Sequence, residues 1–231
     1  MRYRIILSYD GSSFCGWQIQ NQAETVQECL QNALSTLLKE NIAVTGAGRT
    51  DSKVNAINYV AHFETSNPDI DASAVGYKIN AILPAGIKVH SVERCEPDFH
   101  ARFDATQREY KYFLHRRRDP FMREYSYLYT FPLDVGKMNR AAQTLLGKHD
   151  FSCFEKVGSD NKTSICTVTQ ARWEAYSPDH VRIMVYPAEE GDYLVFTIRA
   201  DRFLRNMVRA VVGSLLEIGR GKRDESWTAT L

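Results

Sequence analysis

Short segments with apolar residues at every second position alternate along this chain with segments whose apolar residues recur at the helical period. That alternation restricts the fold more than any other feature. Residues 3–9 read as a strand running into a turn at Asp10-Gly11. Thr25-Val26-Gln27-Glu28 then has capping-box form, a hydroxyl at the helix start and a carboxylate three residues on. Behind it Val26, Leu30, Ala33, Leu34, Leu37 and Leu38 fall on one helical face. Residues 42–45 and 59–63 read as strands flanking a glycine-bearing loop, residues 72–82 as a helix stopped at Leu83-Pro84, and residues 87–92 as a further strand. The first half is thus strand–helix–strand–strand–helix–strand.

In the second half, strands are expected over 109–115, 125–130, 164–176, 180–186 and 193–199. Helices are expected over 135–146 and, longer, over 202–218. This order predicts an α+β fold of two mixed sheet-and-helix halves, 1–104 and 105–231, around a central cleft. Asn67-Pro68-Asp69 and Ser177-Pro178-Asp179 are turns within those halves, not linkers.

Several function classes drop out early. No apolar run approaches the ~20 residues that span a bilayer, and the N-terminus lacks the apolar core and cleavage site of a signal peptide. The five cysteines, Cys15, Cys29, Cys95, Cys153 and Cys166, are odd in number and form no C-x-x-C pair. Reduced thiols in the cytoplasm fit them better than disulfides or zinc. The six histidines form no metal-binding motif, so no metal is expected. Net charge is +1, so an anionic partner must be argued from where charges sit, not from their sum.

Three segments carry candidate chemistry. In Gly46-Ala47-Gly48-Arg49-Thr50-Asp51 a carboxylate lies in a loop between two strands, with a cation two residues away. A nearby cation keeps a carboxylate ionised, as a nucleophile or general base requires. The glycines let the backbone bend tightly and approach a ligand, but the G-K-[ST] ending of a phosphate loop is missing. On the last expected helix, Leu204, Met207, Val208, Val211, Val212 and Leu215 form one face. Arg202, Arg205 and Arg209 share the other beside Gly213, an arrangement that suits either solvation or phosphate contact. Between residues 102 and 123, seven Lys/Arg face three Asp/Glu and interleave with Phe103, Tyr110, Tyr112 and Phe113. Cations for phosphates and rings for base stacking form a nucleic-acid pattern. On a strand, Tyr110 and Tyr112 share one face and Lys111 and Phe113 the other, so one of these faces is core.

Together these segments resemble the tRNA pseudouridine synthase A family, over nearly the whole chain. The resemblance rests on Tyr9-Asp10-Gly11 with Gly16-Trp17-Gln18, and on Ala47-Gly48-Arg49-Thr50-Asp51. It continues through Phe99-His100-Ala101-Arg102-Phe103, Tyr110-Lys111-Tyr112, Asp119-Pro120-Phe121 and Gly147-Lys148-His149-Asp150-Phe151. It ends in Phe203-Leu204-Arg205-Asn206-Met207-Val208-Arg209 with Val212-Gly213. The resemblance implies two RNA-recognition-like halves flanking a basic active-site cleft, a homodimer, and uridine isomerisation in the tRNA anticodon arm at positions 38 to 40, without a cofactor. It implies that Asp51 is the catalytic carboxylate and that Tyr110 stacks on the target base. It further implies that Arg209 pairs with the aspartate and that Arg49 fills the gap left by the flipped base. Arg202 and Arg205, read from the arginine face of the last helix, complete the expected substrate-binding set. His100 and His149 read as structural.

The loop departs from the family at Lys53, where glycine is common, and at Asn55, where histidine is frequent. If that glycine takes a positive φ, Lys53 bears strain or the loop differs. The family also usually continues past Leu231 into a further helix and strand, so a shortened C-terminus is expected. Two other readings of the same residues stand beside the synthase: a catalytically silent tRNA-binding or folding protein, and a small-molecule enzyme gripping a phosphorylated substrate.

Overall fold

A computed structural model describes residues 1–158 and 163–230. The chain is mixed α/β and divides into two compact units, Met1–Thr106 and Gln107–Leu231.

The first unit runs β1 (Arg2–Tyr9), α1 (Val26–Leu38), β2 (Val44–Gly46), β3 (Ala56–Glu64), α2 (Ala72–Ile79) and β4 (Ile87–Arg94). Its antiparallel sheet has the order β2-β3-β1-β4. Period two in the sequence becomes two-sidedness here. Tyr3, Ile5, Leu7 and Tyr9 of β1 are buried with Val26, Leu30 and Leu34 of α1 and Val75 and Ile79 of α2. The helices therefore cover that face. The other face carries ion pairs, Arg2 with Glu64 and Arg4 with Glu93. The cap of α1 forms as expected, with Thr25 Oγ1 accepting the Glu28 N–H.

The second unit runs β5 (Arg108–His115), β6 (Tyr127–Leu128), α3 (Val135–Gln143), β7 (Gly147–Asp150), β8 (Ile165–Ala175), α4 (Asp179–Arg182), β9 (Tyr193–Ala200) and α5 (Met207–Gly219). Its sheet order is β6-β5-β9-β8-β7, antiparallel except for the short β5–β6 pair. Leu114, Trp173, Phe196 and Ile198 from the sheet pack with Met138, Ala141 and Ala142 of α3 and Val211, Val212 and Leu215 of α5. None of the described helices is long and apolar enough to cross a membrane.

Four expectations are corrected. The segment 180–186 is not a strand. Bonds from the Arg182 N–H to the Pro178 carbonyl and from the Ile183 N–H to the Asp179 carbonyl wind it into α4, and Ile183, Met184 and Val185 stay exposed. A β-branched run becomes a strand only where a neighbouring strand completes its ladder. The expected strand over 125–130 shrinks to Tyr127–Leu128. A strand not foreseen, Gly147–Asp150, pairs with β8 although all four of its residues are exposed, so it carries no apolar alternation. The last helix starts at Met207, not Arg202. The Asp201 carboxylate accepts the Thr167 and Arg202 N–H groups, and Asn206 adopts a left-handed φ of 68°, which a continuous helix cannot contain.

Candidate active site

Asp51 lies in the loop that joins β2 to β3, and that loop is braced by residues distant in sequence. The Ala47 N–H bonds to the Val60 carbonyl at 2.9 Å, continuing the strand pairing one step. Gly48 is then clamped by the Tyr59 hydroxyl, which accepts its N–H at 3.1 Å and donates to its carbonyl. The Tyr59 ring packs on Trp17, with centroids 4.3 Å apart, and edge-on to Tyr9 at 5.7 Å. The Tyr9 hydroxyl is 2.8 Å from Thr50 Oγ1, next to Asp51 itself.

The turn after β1 forms the other wall. The Trp17 N–H reaches the Thr50 carbonyl at 3.2 Å, the Lys53 N–H reaches the Phe14 carbonyl at 3.3 Å, and the Gly11 N–H bonds to Asn55 Oδ1 at 2.7 Å. Two glycines make this approach possible. A Cβ on Gly11 would lie 2.2 Å from the Val54 carbonyl oxygen. One on Gly16, at φ +87°, would lie 2.5 Å from that of Thr50. Within the loop the Val54 N–H returns to the Asp51 carbonyl at 3.2 Å. Asp51 is thereby held half-buried, with Arg49, Ser52 and Lys53 exposed around it.

Both departures from the family pattern have a structural outcome. Lys53 does adopt the left-handed conformation, at φ 65°. Lys53 therefore bears the cost of a side chain in that conformation, about 1–2 kcal/mol. Asn55 braces the Gly11 turn. The loop glycines act otherwise than expected. Gly46 makes room for Trp17 and Tyr59, since its Cβ would sit 2.2 Å from the Tyr59 hydroxyl, while a Cβ at Gly48 would meet nothing within 4 Å. The brace residues Tyr9, Trp17, Tyr59 and Asn55 carry no chemical signature in isolation. Only the Tyr9-Asp10-Gly11 and Gly16-Trp17-Gln18 motifs hinted at them.

In the second unit Tyr110 lies on β5, opposite Ile198 of β9, half-buried on the core-facing side. Its ring stands edge-on to Phe203, with centroids 4.9 Å apart. Tyr112, two residues on, has its phenol pushed up by burial first and Tyr127 second, with the Arg209 charge opposing. The arginines do not share one helix face as expected. Arg202 is half-buried in the extended segment, Arg205 is exposed in the turn, and only Arg209 is on α5, exposed like Gly213 one turn further. Further along α5, Glu217 forms ion pairs with Lys222 and Arg223. His149 is structural, its Nε2 2.7 Å from the Leu146 carbonyl oxygen.

A mixed α/β protein with a braced, carboxylate-bearing strand-to-strand loop in one unit and a half-buried tyrosine on the core-facing side of the other unit's sheet is the class these features define. Residues 5–104 and 141–231 match the tRNA pseudouridine synthase family. The tRNA pseudouridine synthase A of Bacteroides fragilis is 49% identical over 96% of this chain and 82% of its own length. That of Bacteroides thetaiotaomicron is 48% identical over 96% and 78%, and that of Yersinia pseudotuberculosis 41% identical over 100% and 83%. The chain belongs to the tRNA pseudouridine synthase family. It is an RNA pseudouridine synthase, an isomerase that converts uridine to pseudouridine in tRNA.

Proposed function

We propose that this enzyme acts on uridines of the tRNA anticodon stem-loop, positions 38 to 40, with Asp51 as its catalytic carboxylate. The observation that carries the reading is the Asp51 loop. It is tied to the Gly11–Trp17 turn and to Tyr59 by bonds on both sides of Asp51, so the backbone that carries the carboxylate is held in place before substrate arrives. The reaction breaks the bond from N1 of the base to the ribose, turns the base and joins C5 to the same carbon. N1 or its equivalent ends with a proton and C5 loses one, so atoms and electrons balance without an external oxidant, reductant or group donor. A carboxylate suits this work as nucleophile toward the sugar or as base toward a ribose proton.

The target base must leave its stack first, at a cost of a few kcal/mol. In this reading Tyr110 stacks on the flipped base, Arg49 fills its place in the RNA, Arg209 pairs with Asp51, and Arg202 and Arg205 hold phosphates. The β-α-β-β-α-β order of the first unit, with sheet order β2-β3-β1-β4, supports an RNA-recognition-like description of that half. The homodimer and the basic character of the cleft follow from the resemblance, and the cytoplasmic location from the odd number and scatter of the cysteines.

Asp51→Asn tests the assignment. Pseudouridine formation in tRNA should fall by at least about 10³-fold while tRNA affinity stays within a few-fold, because shape is kept and only the ionisable oxygen is lost. Retained activity in Asp51→Asn would remove Asp51 from the chemistry.

A further inference from the structure

Beyond the proposed chemistry, we infer that Phe103 is a stacking platform for an unpaired nucleobase of the tRNA substrate, backed by His100 and His62. The inference rests on tRNA being the substrate and not on the role of Asp51. The segment after β4, Phe99-His100-Ala101-Arg102-Phe103-Asp104, folds into a tight knot on the first sheet. Ala101 is buried and donates its N–H to Nδ1 of His62, itself buried on β3, at 3.1 Å. Arg2 fixes the start of the knot by donating to the Phe99 carbonyl at 2.7 Å. Asp104 closes it, with Oδ2 accepting the His100 N–H at 2.8 Å and its own N–H reaching the His100 carbonyl at 2.9 Å. His100 Nδ1 faces the N–H groups of Arg102 and Phe103 at 3.2 and 3.3 Å, which places its proton on Nε2 and fixes the ring plane.

On that ring lies Phe103, stacked at 4.2 Å between centroids with planes 30° apart, while the side chain is 75% exposed. Below, His100 meets His62 at 4.9 Å, edge to face. One face of the phenyl is thus supported down to the sheet and the other is open. A single exposed phenylalanine is ordinary, but one held flat by a stacked and hydrogen-bonded imidazole has already lost the freedom that binding would take from it. Arg102, also exposed, puts a cation beside the ring. A planar ring with a neighbouring cation fits a base with its phosphate, and unpaired bases are those whose π-faces a protein can reach.

The test uses the full chain. Phe103→Ala should raise the tRNA Kd and KM about 5- to 150-fold, the span given by loss of one base–aromatic stack, with kcat within about twofold. Phe103→Tyr should restore both, and the melting temperature should not move because the ring is exposed. Phe103→Trp supplies a reading independent of turnover. Its added fluorescence should be quenched by tRNA and by single-stranded RNA, but not by a fully paired RNA duplex. Unchanged tRNA affinity in Phe103→Ala, or no quenching by single-stranded RNA, overturns the platform. So does a change in sedimentation mass accompanying Phe103→Ala, which would mean the ring meets a second copy of the chain. Pseudouridine formation by the unmodified chain is scored separately, so a failure of the catalytic reading leaves the fluorescence result standing.

Discussion

Lys53 concentrates at one residue the tension between local preference and the shape of the site. A lysine in the left-handed region is disfavoured by its Cβ, yet the backbone is held there by the bond from its N–H to the Phe14 carbonyl and by the neighbouring Asn55–Gly11 contact. Lys53→Gly removes the Cβ but adds chain entropy to the unfolded state, so the two effects partly cancel. The expected outcome is stabilisation of at most about 1 kcal/mol in urea denaturation, with pseudouridine formation kept. A loss of activity from this change would show that the ammonium itself contacts the RNA. At the same scale, the Asp51 motif was legible in the sequence because glycine, arginine and aspartate stand next to each other. Its brace was not, because Tyr9, Trp17 and Tyr59 read as ordinary core aromatics until their distances are known.

Among elements, those built on regular periods were legible: β1, α1, β3 and β9 were all anticipated, and the cap of α1 was visible in four residues. The failures were elements set by partners elsewhere. The short helix α4 is held by His180, whose Nε2 is 2.7 Å from Asp119 Oδ2, an oxygen that also accepts the Tyr193 hydroxyl at 2.6 Å. Burial pushes the Asp119 carboxyl up, but hydrogen bonds from Tyr193, the Phe121 N–H and His180 outweigh it and hold the group below the usual carboxylate range. Tyr193 is pushed up by burial and by the same bond. Asp119→Asn should therefore cost the second unit about 2–3 kcal/mol in urea denaturation, since an amide turns a donor toward donors in a buried site. Proteolysis should then cut the 177–192 segment faster. Because the folded value is lowered, this contribution is present at neutral pH and fades as pH drops below the unfolded carboxylate value.

At the scale of the whole molecule, two separate cores carry the stability, and the buried histidines set its response to pH. His62 is held below its ordinary value by burial first, then by His100 and Arg2. His115 is lowered by burial, against the pull of Asp119. A lowered folded value means that the unfolded chain takes up the proton first, so stability is level above about pH 6.5 and falls as pH drops toward the folded values. Glu64 and Glu93, lowered by hydrogen bonds from Arg2 and Arg4, add a second decline below about pH 4.5. Thermal melts from pH 8 to pH 4 should show both stages. His62→Gln, which keeps an acceptor for Ala101, should shrink the first. A melting temperature indifferent to pH between 7 and 5 would mean that these rings take up their protons alike in the folded and unfolded chain.

By itself the sequence determined the mixed strand-and-helix composition, most element positions and the loop that carries Asp51. Hydrophobic period and helix caps act over a few residues, so they are readable without knowing what lies opposite. Tertiary structure alone decided that α5 begins at Met207 and strips Arg202 and Arg205 from its face, and that 180–186 winds up instead of extending. It also decided that the Gly11 and Gly16 turn presses on a loop some forty residues away. Each depends on hydrogen bonds and close backbone approaches between segments far apart in the chain. Their geometry exists only once the chain has folded.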